Sequence, residues 1–245
     1  MVSDPGPRVW ATMIHETLLW LAGQLPDDLI AMARQRLAAG MHGELARSIA
    51  FGVIGHRVPL RQADHDLLAE LLAEQGISPS ALAGVWLAGA NPAPPFVFTS
   101  QLPDAADAPP GEVVERAAVD ALAEEPEVRG LWLAWRSPAG QIPSPPPRRV
   151  FLVEADAGTN LAALAARLQS ALHASGEDSP QVEVFAAGSE LPSYQLSAMG
   201  NGVLLWARAA PPAATAGHLL PGRADAVRRN EFSGRAHRTE CRTGG

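Results

Sequence analysis

Residues 149–186 read RVFLVEADAGTNLAALAARLQSALHASGEDSPQVEVFA. The segment opens and closes on apolar runs, RVFLVE at 149–154 and QVEVFA at 181–186, that fit strands. Between them Thr159 to Ala174 carries Leu161, Leu164, Leu168 and Leu172 at helical spacing. Strand, helix and strand over this length make a βαβ unit, with parallel strands and a right-handed crossover.

The rest of the carboxyl half extends this unit. Gly202 to Ala207 (GVLLWA) reads as a last strand, and its run Val203 to Trp206 predicts cover on both faces. Arg129 to Arg136 (RGLWLAWR) is a strand with Trp132 and Trp135 on opposite faces. Glu112 to Glu125 is an amphipathic helix and Phe96 to Thr99 a short strand. Residues 102–110 form a loop, and Ser144-Pro145-Pro146-Pro147 cannot pair in a sheet.

Upstream the rhythm is helical. Ile14, Leu18, Leu19 and Leu21 mark a first helix. Pro26-Asp27-Asp28 starts a second, with acids facing the positive end of the helix dipole, and Gly40 stops it. Leu45, Ile49, Val53 and Ile54 mark a third, broken by Pro59. Leu60, Leu67, Leu68, Leu71 and Leu72 mark a fourth, ended by Gly76. The expected fold class is mixed α+β and α/β: a helical bundle over 13–90, then a small α/β domain over 95–208. Residues 1–12 read as a flexible extension and 209–245 as a disordered basic tail.

Composition excludes several classes. All 19 basic residues are arginine, so neither a Schiff-base nor a Walker lysine is possible. Residues 1–210 hold 13 Arg against 23 Asp and Glu, a net of −10, which argues against a nucleic-acid surface. A helix-turn-helix in residues 26–75 ranks last among the readings, because its five Arg stand among seven acids. No apolar run reaches the ~18 residues of a membrane span. The single cysteine, Cys241, permits no disulfide within the chain, and the amino terminus lacks the pattern of a signal peptide. The expected setting is cytoplasmic.

No catalytic set assembles. His15, His42, His56 and His65 read as surface or cap residues, and no metal or other cofactor is called for. Gly200-Asn201-Gly202 precedes a strand and lacks the third glycine of a dinucleotide fingerprint. The candidate ligand loop follows the strand at 149–154, where open α/β sheets bind ligands, and its residues are Asp156, Thr159 and Asn160. Tyr194, the only tyrosine, follows the next strand and joins them as a candidate. Trp132, Trp135 and Arg136 are the candidate interface.

VFLVEAD at 150–156, QVEVF at 181–185, ELPSYQ at 190–195 and GVLLWA at 202–207 resemble the carboxyl part of uncharacterised two-part proteins of GC-rich actinobacteria. LPDDLIAMARQRLAAG at 25–40, followed by RVPL at 57–60, fits the same resemblance. It implies a bundle joined to an α/β domain and a bacterial cytosolic origin, and it carries no activity. The first functional expectation is therefore a non-enzymatic interaction or regulatory protein that docks a partner protein or self-associates. The alternative is a small-molecule or nucleotide-binding enzyme using loops 155–160 and 188–195.

Overall fold

Apolar residues at three- and four-residue spacing build four helices in the first third of the chain: α1 (Pro7–Leu21), α2 (Asp27–Ala38), α3 (His42–His56) and α4 (Gln62–Glu74). The computed structural model describes residues 7–89, 93–101, 111–140 and 146–209. A 3₁₀ turn, Pro79–Leu82, follows α4. Then come β1 (Phe96–Thr99), α5 (Gly111–Ala123), β2 (Val128–Pro138), β3 (Arg148–Ala155), α6 (Leu161–Ala174), β4 (Gln181–Ala186), α7 (Ser193–Asn201) and β5 (Val203–Ala207). This is the mixed fold that the sequence predicts. The tail at 210–245 and the loop at 102–110 lie outside the described residues.

The sheet is mixed. β2 pairs antiparallel with β3, and β3 pairs parallel with β4 through the α6 crossover. On the far edge of β2, β1 lies against residues 135–138 and β5 against residues 130–133, both antiparallel. One face of the sheet buries Leu131, Leu133, Phe151, Val153, Val182 and Val184 against α5 and α6. The other carries Ala134, Val150, Leu152 and Phe185, and it is closed by α7 together with Leu19 at the end of α1 and Ala22 just after it. The four helices keep their own core, centred on Ile14, Leu18, Ile30, Ile49 and Leu68, which reaches Ala162 of α6.

Two expectations change here. Residues 7–12 are not an extension: helix α1 begins at Pro7, and Trp10 is buried in the helical core. A bulky indole on the inward face of a helix contributes core area whatever the polarity of the residues before it. Strand β5 is not covered on both faces either. It adds to the edge of β2 with Val203 and Leu204 exposed, while Leu205 and Trp206 pack against the core under α5.

All described residues belong to one compact unit. Its helical and sheet parts meet along the edge strand β4, where α2 and α7 reach one carboxylate and α1 joins through Gln195. Arg34 Nη2 of α2 reaches Glu183 Oε2 of β4 at 2.6 Å, with both side chains fully buried. Gln195 Nε2 of α7 donates to the same oxygen at 2.8 Å and to the Leu19 carbonyl of α1 at 2.9 Å. Alongside, His15 Nε2 donates to the Val184 carbonyl at 2.7 Å. An exposed strand edge invites pairing with another chain, and here side chains and helices occupy it. A second anchor lies at the start of α2, where Asp27 pairs with Arg136 at the end of β2.

Breaking the first anchor leaves a charge in the core. Arg34→Met is expected to lower stability by about 3–5 kcal/mol, whereas Arg34→Met with Glu183→Leu recovers most of the loss. Urea unfolding of the two variants checks this, and equal losses in both would show that the pair is not what holds α2 to β4.

Candidate functional site

The loop after β3 is tied up locally. The Asp156 carboxylate pairs with Arg129 Nε at 2.6 Å, and its backbone N–H donates to the Glu127 carbonyl at 2.7 Å. Thr159 Oγ1 donates back to the Asp156 carbonyl at 2.8 Å. Asn160 Oδ1 accepts from the Ala163 N–H at 3.1 Å and so caps α6. These three side chains have structural partners, and none lines either of the two cavities described below.

Tyr194 is displaced further from the expected role. It is buried under the turn after α1, where a Cβ on Gly23 would stand 2.5 Å from the ring, so glycine is required there for close approach. Its rim is met edge-on by Phe96 and Phe98. Arg136 Nη1 donates to its hydroxyl at 2.9 Å. Burial pushes the phenol above its usual range, and the Arg136 charge only partly opposes this. The group stays protonated and spans the sheet and α1.

The candidate interface is internal. Trp135 is 5% exposed, with the Arg149 guanidinium 4.5 Å from its ring centroid. Arg136 is 6% exposed and stacks 4.4 Å over Phe96. Trp132 is half-buried against α7. Period-2 geometry does put the two tryptophans on opposite faces, but helices or loops cover both faces at this point. Arginine stacking satisfies these side chains inside the molecule.

Two other places remain open. The larger is a cavity of about 580 Å³ beyond the carboxyl end of β4, between α1 and the segment 186–192. It adjoins β4, and the expected loop 188–195 contributes Ser189 to Pro192, while the remaining polar groups come from α1 and from Arg61 just before α4. His15, Trp20, Arg61, Leu161 and Glu190 line it. Arg61 is already engaged: it holds the buried Asp64 carboxylate through two bonds of 2.6 and 2.7 Å and stacks over Trp20 at 4.7 Å. His15, expected at the surface, is 2% exposed, and burial pushes its pKa down to about 4. Its place at the a/d-like spacing of Trp10, Ile14 and Leu18 was the available signal, since a polar residue beside that stripe faces the core margin.

The smaller place lies on the other side of the bridge between Leu60 and Leu87, lined by Val58 and Trp86 where the larger has Arg61 and Ala88. Leu60 N–H donates to the Trp86 carbonyl at 2.9 Å, and Ala88 N–H donates to the Leu60 carbonyl at 2.8 Å. These bonds clamp the segment after the 3₁₀ turn against the end of α3 and leave Trp86 pointing outward, 80% exposed. Ile54 and Trp86 line one depression of about 280 Å³. Phe51, one turn before Ile54 on the same helix, is 83% exposed, and Leu87 is exposed beside Trp86. Among the described residues, no three His, Cys, Asp or Glu side chains converge as metal ligands. Cys241 lies outside them. No described helix is long and apolar enough to cross a membrane.

Comparison of the chain with protein-family models, with curated proteins and with solved structures found no match.

The buried histidine has a pH consequence. Its pKa is about 4 folded and 6.5 unfolded, so the unfolded chain binds more protons between these values. This contribution to stability is complete above pH 6.5 and is lost as the pH falls toward 4. The expected slope is about 1.4 kcal/mol per pH unit within that window. Burial raises the Glu183 carboxyl, which acts in the opposite sense, so the comparison to make is with His15→Gln. As the pH falls through the window, the urea midpoint of the wild type should drop relative to that of His15→Gln, and identical profiles would remove His15 as the group responsible.

Proposed function

We propose that the protein is a cytosolic interaction or regulatory protein that docks a protein partner through the outer face of α3 and segment 84–87. One observation carries this reading: in a chain with 5% aromatic residues, Phe51 and Trp86 are among the most exposed large apolar side chains described. Scattered apolar residues on a surface are ordinary, but Ile54 and Trp86 share a depression and Phe51 continues it along the helix. Aromatic side chains at the centre of an apolar patch are the usual anchors of a protein interface. A photo-crosslinking amino acid placed at Phe51 in the full chain, in the cells that make it, is expected to form a protein adduct. The same group at Arg167, exposed on α6, should not. No adduct from position 51 would sink the reading.

A second reading has its own observation. The 580 Å³ cavity has the size of a small-molecule site, and it sits beyond the carboxyl end of β4, one of the two parallel strands. It supports the binding of a small molecule whose polar groups meet Glu190 and Glu16, with Trp20 and Leu161 as apolar walls. Asp156 and Tyr194 take no part. Thermal-shift screening with nucleosides and small amines should find a stabilising compound whose effect disappears in Glu190→Gln. If no compound stabilises the chain, or if Glu190→Gln keeps the shift, the reading fails.

A further inference from the structure

Four helices, α2, α3, α4 and α6, end in the same hydrogen-bonded turn. The N–H groups of Met41, Val58, Ile77 and Glu177 donate back to the carbonyls of Arg36, Val53, Leu72 and Leu172 at 2.9–3.0 Å. This turn needs one residue in the left-handed region. Three of the helices supply glycine: Gly40 at φ 72°, Gly76 at φ 71° and Gly176 at φ 96°. Helix α3 supplies Arg57, at φ 54°. Among the described residues it is the one non-glycine with positive φ. That conformation crowds the Cβ of an L-residue, and glycine would make the same turn without strain. The backbone therefore gives no reason for an arginine here.

The side chain does. Arg57 is exposed and has no ion pair or hydrogen bond to its guanidinium among the described residues. It lines the depression with Val53, Ile54, Val58, Val85 and Trp86, and it is the sole charge there. The other residues that line the depression are apolar or glycine, so no carboxylate within it competes for the guanidinium.

We propose that this depression receives an apolar side chain from an acidic segment of a partner protein, with Arg57 pairing the carboxylate beside it. The inference rests on the interaction reading above and adds the partner's chemistry. Burying an apolar group excludes water, which strengthens an ion pair at its margin, and a guanidinium binds a carboxylate through two parallel bonds. Strain at a single turn persists where function holds the residue in place.

The test uses a displayed library of random 12-residue peptides selected against the full chain. Enriched peptides should carry Asp or Glu within a few positions of Phe, Leu or Trp. Their affinity should fall at least tenfold in Arg57→Gly and in Trp86→Ala, and it should weaken as salt rises. Arg57→Gly should leave the melting temperature unchanged or higher, because it relieves the turn. Enriched peptides without acids, or binding indifferent to Arg57→Gly but lost in Trp86→Ala, would overturn the carboxylate pairing and leave the interaction reading standing. Failure of any peptide to bind at this face would overturn the inference. The crosslink from position 51 decides separately whether the face docks a protein at all.

Discussion

The buried pair of Arg34 and Glu183 is the constraint around which the described residues are arranged. Removing two charges from water costs several kcal/mol for each ion, and attraction between them offsets this only with good geometry and further hydrogen bonds. Glu183 has that company, accepting from Arg34 and Gln195 at once. Arg34 is less well served, since its Nε and Nη1 have no partner among the described residues. Such a pair contributes less to stability than to placement. Helix α2 can lie on β4 in one register only, because any slip strands a charge in the core. Asp27 and Arg136 repeat the restriction at the start of the same helix.

Once α2 is pinned, the two open places follow. Helix α1 is drawn over the edge of β4 by His15 and by the Leu19 carbonyl, and the gap between it and segment 186–192 becomes the larger cavity. Helix α3 packs mainly on α2 and α4, so its outer face has no sheet to meet. Phe51 and Ile54 are left in water on that face, and the 84–87 segment, held by two backbone bonds, sets Trp86 beside them. The two places differ in what remains unsatisfied. The cavity's arginine already serves Asp64, whereas Arg57 serves nothing described.

Most of the fold was legible because it rests on local periodicity. The helices at 27–38, 42–56, 62–74 and 161–174 and the strands at 148–155 and 181–186 follow from spacing, caps and breakers. The parallel pairing of β3 with β4 follows from the crossover length. The fate of GVLLWA did not follow, since an apolar run reads the same in a central strand and at an edge. Trp10 was missed because polar and Pro residues before it resemble an extension. The site was far less legible. Asp156, Thr159 and Asn160 are in the loop where ligands bind in related architectures, yet ordinary turn chemistry consumes them. Glu183 shares its strand face with Gln181 and so reads as solvent-facing by alternation, and only the packing of α1, α2 and α7 buries it.

The sequence by itself determined the elements, their order and the parallel unit, because hydrophobic period and turn residues act over a few positions. Only the tertiary structure decided which side chains are available for function. Arg34, Arg136 and Arg57 are indistinguishable as letters. The first two are buried against carboxylates 149 and 109 residues away in the chain, and the third is exposed. Burial and partnership are properties of contacts between distant segments, and local spacing does not encode them.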